Sequence, residues 1–218
     1  MIRPESIRPH GLAILEITAL GAALVILDRI EKAAPVRLVQ AELNDFSGFL
    51  LKMAGSPAAL RAAVELAEQL AGQMQARCVT AILDAPDERA LKGIGSAREF
   101  SPLIEQNVVF DLDNPSNSHE ADRTPMATEN SFAIGLIETQ GFTAVIEAID
   151  TACKAANVEV LGKEKLGGGY ITILIKGDVA AVNAAIEAGK SRVDGLGKLI
   201  AAHVIARPSA AILALLPK

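Results

Sequence analysis

Several residues of this 218-residue chain have the right types for chemistry, and their spacing limits what each could do. The triple glycine at 167–169 has the composition of a phosphate cradle. It joins two strand-like runs and opens no helix, so it lacks the helix N-terminus that a phosphate loop uses. His10, His119 and His203 are scattered without metal-ligand spacing, and His203 reads as structural. No Ser, His and Asp, and no pair of carboxylates, stand where local spacing would build a nucleophile or an acid–base site. Cys78 and Cys153, at a strand start and within a helix, read as buried small hydrophobes. Neither catalysis, nor a metal, nor any cofactor is expected. What stands out instead is recurrence. Asp28 and Lys32, one helical turn apart, return as Asp150 and Lys154. In both places the lysine closes a helix, where a cation opposes the negative pole of the helix dipole and the earlier Asp can hold it.

That recurrence extends over the whole chain. Residues 11–88 overlay residues 133–210 without a gap at a constant offset of 122, with Glu16 on Glu138, Gly55 on Gly177 and Pro86 on Pro208. About one position in five is identical and apolar falls on apolar, as in a tandem duplication. Each copy reads β-α-β-β-α-β. In the first, strands are expected at 12–18, 36–42, 49–54 and 78–83, with helices at 22–34 and 56–71. In the second, strands are expected at 132–140, 157–164, 170–176 and 199–206. The helix at 142–156 has Val145, Ile146 and Ile149 on one side, and a second helix begins at Asp178 as N-cap. Pro208 suits the first turn of a short closing helix. The fold class is α+β: two split-βαβ, ferredoxin-like units, each an antiparallel sheet with helices on one face. The other face must be covered by something, and neighbouring subunits are the expected cover. The units are expected at 10–92 and 132–218, with a connecting segment at 93–131.

Composition narrows the functional classes. The net charge of −5 is carried by 93–131 alone, which holds 2 basic and 7 acidic residues in a Ser/Asn/Pro-rich context. Neither copy has the basic surplus that would point to nucleic acid, and with no Trp and one Tyr there is no stacking platform. No apolar run reaches the roughly 18–20 residues of a membrane span. The start, MIRPESIRPHG, has no apolar stretch of a secretory signal, so a cytosolic setting is expected.

The second copy carries, in order, AIGLIETQGFTAVIEAIDTACKAANVEVLG, GGGYITILIKGDVAAVNAAIEAG and AAHVIARP. This run resembles a bacterial microcompartment shell domain over 132–210, including the IETxG turn, the DxxxKxANV helix end, the GGGY loop and the final IxRP. The constant offset extends the resemblance to the first copy, so the chain is similar to the non-permuted tandem-domain shell proteins. The resemblance implies a homotrimer, a pseudohexamer of six domains, that tiles with other shell proteins (hexamers and pentamers) into a microcompartment shell in the cytoplasm. It implies a central pore lined by Asn44, Asp45, Phe46 and Ser47 of the first copy and Leu166, Gly167 and Gly168 of the second. It places Lys32, Lys154 and Arg207 at the tile edge, with Asp28 and Asp150 beside the lysines. Ala85 stands where the first copy would have the arginine. Three Asp45 carboxylates about 8 Å apart in water would repel by only ~0.5 kcal/mol per pair, so all could stay ionised around a pore that conducts metabolites. Some tandem shell proteins place a cluster-binding cysteine in this loop; here Asp45 and Gly167 stand there. A ligand-binding regulatory module of ferredoxin-like fold is the alternative, distinguished by a stable monomer or dimer that binds a metabolite.

Overall fold

The two copies fold into the same unit, down to a shared irregularity. The computed structural model describes residues 11–44, 48–86 and 132–216. The first unit comprises β1 (Leu12–Ile17), α1 (Leu20–Ala33), β2 (Val36–Asn44), β3 (Gly48–Gly55), α2 (Pro57–Gln73) and β4 (Cys78–Leu83). The second comprises β5 (Ala133–Gln140), α3 (Phe142–Ala155), β6 (Glu159–Lys165), β7 (Tyr170–Gly177), α4 (Val179–Lys190), β8 (Lys198–Ala206) and α5 (Ala210–Leu215). The sheets run β2-β3-β1-β4 and β6-β7-β5-β8, antiparallel throughout. Leu12 pairs with Ala54 and Leu83, as Ile134 pairs with Lys176 and Ile205. The register shift between Leu38 and Gln40 recurs between Val160 and Gly162 at the same offset. Such a bulge bends the strand locally, and its repetition shows that the duplicated feature is the backbone path and not only the pattern.

Alternation along the strands explains the first core. Leu15, Ile17, Phe49, Leu51 and Met53 point to one face and are buried with Ile26, Leu27 and Ile30 of α1 and Leu60 and Ala63 of α2. In the second unit Ile137, Ile173 and Ile175 meet Val145 and Ala148 of α3 and Val182 and Ile186 of α4. Gly48 shows how tightly β3 leaves its turn. Its φ is 108°, and a Cβ there would lie 2.0 Å from the Ile17 carbonyl oxygen, so only glycine fits.

Caps place the helix starts. Ser56 accepts from Ala59 N–H at 3.3 Å and Asp178 from Ala181 N–H at 2.8 Å. Ser209 caps α5, so Pro208 lies one residue before the cap and not in the first turn as the sequence suggests. A larger correction concerns the uncovered sheet face. The core of the first unit continues into Ile134, Leu136, Leu174, Ile205 and Ile212 of the second. Helix α1 is thus packed on both sides, and together with α5 it covers the second sheet from within the same chain. The second sheet carries apolar residues on both faces, and burial against a helix of the sister unit satisfies the second face.

Candidate functional site

The joint between the units is built around α1. Its preceding residue, Ala19, has φ 75° and offers no side-chain cap. The first turn is held instead by Glu138 of β5, which accepts from Leu20 N–H at 3.3 Å and Gly21 N–H at 3.0 Å. Glu138 has no solvent exposure. Burial raises its pKa above the ordinary carboxylate value, and the Gly21 and Leu20 N–H groups oppose that shift by favouring the anion. Below this contact, Leu20 and Leu24 lie against Ile134, Leu174, Ile205 and Ile212.

The other end of α1 is tied as firmly. Asp28 accepts from Ser209 N–H at 2.8 Å and from Lys32 Nζ at 2.7 Å, and Lys32 also reaches the Ala206 carbonyl at 3.4 Å. Glu31 accepts from Ala211 N–H at 2.9 Å, which puts a carboxylate at the N-terminus of α5. Arg207 beside this contact is exposed and has φ 51°. The Asp–Lys pair expected at the helix end is therefore real, and its first copy is part of the joint.

In α3 the same positions are bare. Gly141, the counterpart of Ala19, has φ 124°, and no side chain caps the helix. Phe142 and Ile146 are 45% and 47% exposed, whereas their counterparts Leu20 and Leu24 are buried. Ile146 thus does not share the buried side of Val145. Lys163 sits over the Phe142 ring, 4.7 Å from its centroid. Lys154 and Asp150 form an ion pair whose side chains are 74% and 52% exposed. The hydrogen bond that Lys154 donates to Asp150 raises the lysine pKa, and this exposed pair contributes little to stability. Cys153, expected to be buried, is exposed because it occupies the position of Glu31 on this open face; Cys78 is half-buried.

The start of β3 at Gly48 and the glycine turn between β6 and β7 border the same region. Asn44 ends β2, and Asp45, Phe46 and Ser47 lie outside the described residues. In the second unit Leu166 is buried, and Gly167, Gly168 and Gly169 turn the chain with φ of 77°, 56° and 82°. Tyr170 N–H closes this turn on the Gly167 carbonyl at 2.9 Å, and Gln140 Nε2 donates to the Gly168 carbonyl at 3.3 Å. Gly48, Gly167, Gly168, Glu138, Lys198 and His203 border one open cleft of about 790 Å³ between the units. Burial lowers the His203 pKa, so the ring is neutral there near pH 7.

Among the described residues no group of three or more His, Cys, Asp or Glu side chains could hold a metal ion, and no helix is long and apolar enough to cross a membrane. Sequence reasoning missed Glu138. Its signal was present: a glutamate repeated as Glu16, each time shortly before a helix that lacks a capping residue of its own.

A family model of the BMC domain matches twice, at residues 11–83 and 133–208. The carboxysome shell protein CsoS1B of Hydrogenovibrio crunogenus is 49% identical over 84 residues, covering 38% of this chain and 87% of that protein. The bacterial microcompartment shell protein PduA of Citrobacter freundii is 46% identical over 86 residues, covering 39% and 92%. A crystal structure of a microcompartment protein from Desulfitobacterium hafniense DCB aligns over 93% of this chain and 97% of that one, at 22% identity and a TM-score of 0.36.

Proposed function

The chain belongs to the BMC-domain family, and from that premise we propose that it is a structural shell protein of a bacterial microcompartment, three chains of which close into a six-domain tile. One observation carries the closure: equivalent helix faces have unequal environments. The outer stripe of α1 is buried by the second unit, while the same stripe of α3 exposes Phe142 and Ile146. The complementary surface is open as well, since Val79 and Leu83 on β4 are 43% and 36% exposed where β8 receives α1. A joint in which a helix of one unit seats on the sheet of the next is heterologous, and its repetition gives a ring if the rotation closes. Six domains make the closed form that the family resemblance implies. Completing the burial of the two half-covered side chains would contribute about 1 kcal/mol each at every seam.

In this reading the units span 10–92 and 132–218, joined by 93–131. The loops with Asn44, Asp45, Phe46, Ser47, Leu166, Gly167 and Gly168 face the ring axis, and the shared cleft at Gly48 and Gly167 supports bringing them together. Lys32, Asp150, Lys154 and Arg207 are exposed where a seam opens onto the tile edge, toward other shell proteins, and Asp28, buried in the joint, holds Lys32 there. Ala85 in place of the arginine leaves alternate edges without it. The pore alternates Asp45 carboxylates with the backbone of the glycine turn and admits metabolites. No catalytic step is assigned to the chain.

Native mass spectrometry and sedimentation test the reading. A trimer that forms sheets or tubes at high concentration, and that falls apart when Ile146 is changed to Asp, is the expected result. A stable monomer or dimer that binds a metabolite would instead make the chain a regulatory module. For the pore, Asp45→Ala should change ion permeation through a reconstituted layer; unchanged permeation would remove Asp45 from the axis.

A further inference from the structure

Shifting the observed joint by the 122-residue offset specifies what meets α3 in a neighbouring copy. The counterparts of Leu20 and Gly21, whose N–H groups Glu138 holds, are Phe142 and Thr143; the counterpart of Glu138 is Glu16. Lys32, which reaches the Ala206 carbonyl, corresponds to Lys154, and Ala206 corresponds to Asp84. The transfer is justified by the strand registers, which coincide pair for pair at β1–β3 and β5–β7 and again at β1–β4 and β5–β8 up to Glu16 and Glu138. At the far end, an alanine within the chain becomes an acid between chains.

We propose that α3 of one chain is clamped at both ends by carboxylates of the next, Glu16 on the N–H groups of Phe142 and Thr143, and Asp84 on Lys154. The inference rests on the ring reading and adds the residues that choose the partner. Two further observations support it. The N-terminus of α3 has no side-chain cap among the described residues, although the equivalent turn of α1 is capped by a carboxylate from the sister unit. Lys154 is exposed beyond its pair with Asp150, and Asp84 is also exposed, held at 3.0 Å by Arg61 on its own unit.

The clamp makes the two kinds of joint chemically different. Across the joint inside the chain, Lys32 meets the backbone carbonyl of Ala206; between chains, Lys154 meets a charge. That difference favours docking α3 on the first unit of another copy over docking it on a second unit, where Ala206 offers no carboxylate. It also makes the seam between chains the salt-sensitive one, because exposed ion pairs are screened.

Charge reversal tests this in the full chain by sedimentation velocity across a concentration series. Asp84→Lys and Lys154→Glu should each weaken assembly by about tenfold or more, since each juxtaposes like charges at every seam. The double variant Asp84→Lys/Lys154→Glu should return to within about threefold of the parent, because each seam of a head-to-tail ring then regains an opposite pair. Glu16→Ala should weaken assembly by about tenfold while the single chain keeps its circular dichroism. Arg61→Ala should leave assembly intact. If the parent assembles and neither Glu16→Ala nor Asp84→Lys changes it, the clamp is wrong and the ring stands. Loss in both single charge variants without recovery in the double would overturn the Asp84–Lys154 pair. A parent that stays monomeric would overturn the ring and the clamp together.

Discussion

Replacing Glu138 probes the joint at its least exposed point. The carboxylate accepts two backbone N–H groups at 3.3 and 3.0 Å and has no exposed surface. Glu138→Ala strands both donors at a buried helix start, and each stranded donor costs about 1–3 kcal/mol. Because Glu138 also borders the open cleft, water can reach part of the vacated space. The expected loss is therefore about 2–4 kcal/mol, read as a drop in the urea midpoint at fixed chain concentration. Glu138→Gln keeps one acceptor and removes the buried charge, so it should lose less. The pH dependence separates the two contributions. Burial raises the folded-state pKa of Glu138 above its ordinary 4.5, so the folded protein holds this proton more tightly than the unfolded chain. The corresponding stability is fully present below the ordinary value and is lost as pH rises through the raised folded value. The parent should accordingly lose stability relative to Glu138→Gln as pH climbs from 4.5 toward neutrality. A Glu138→Ala midpoint equal to the parent's would show that the carboxylate does not hold α1. A parent that gained on the Gln variant with rising pH would show that the N–H groups, and not burial, dominate the site.

Substitutions at three further positions test how the units are built. Gly48→Ala should lower stability by at least about 3 kcal/mol or prevent folding, since the new Cβ would meet the Ile17 carbonyl at 2.0 Å in a backbone with φ 108°; expression and thermal melting report it. Thr172→Val should be neutral or stabilising by about 1 kcal/mol, because the Thr172 hydroxyl is buried without a hydrogen-bond partner among the described residues, and a lower melting temperature would mean that it has one. Asp178→Ala should cost about 1 kcal/mol by removing the cap on Ala181 N–H, while Asp178→Asn should cost little in the same melting assay.

Much of the fold was legible because its signals are local. The period-2 runs around Leu12 and Ile171, the Asp178 cap and the glycine breaks at 167–169 depend on near neighbours in the chain. The Asp28–Lys32 and Asp150–Lys154 pairs follow from helical spacing alone, and both form. Pro208 was displaced by one residue because the choice between Pro208 at the first turn and Ser209 at the cap depends on which side chain reaches a free N–H. Cys153 and Ile146 were misplaced for a different reason: their helix has two apolar stripes, and periodicity cannot say which is occupied within the chain.

The duplication, the βαββαβ order of each unit and the family are carried by the repeated pattern and motif order, which are properties of the chain. That two equivalent helices live differently emerges only in the folded molecule. Helix α1 is buried between two sheets and capped by a glutamate 117 residues away from Gly21, while α3 shows the same stripe to solvent. No pattern within either helix distinguishes these fates. In a chain that carries one copy of each unit, one seat is filled from within and its counterpart is left for a neighbour.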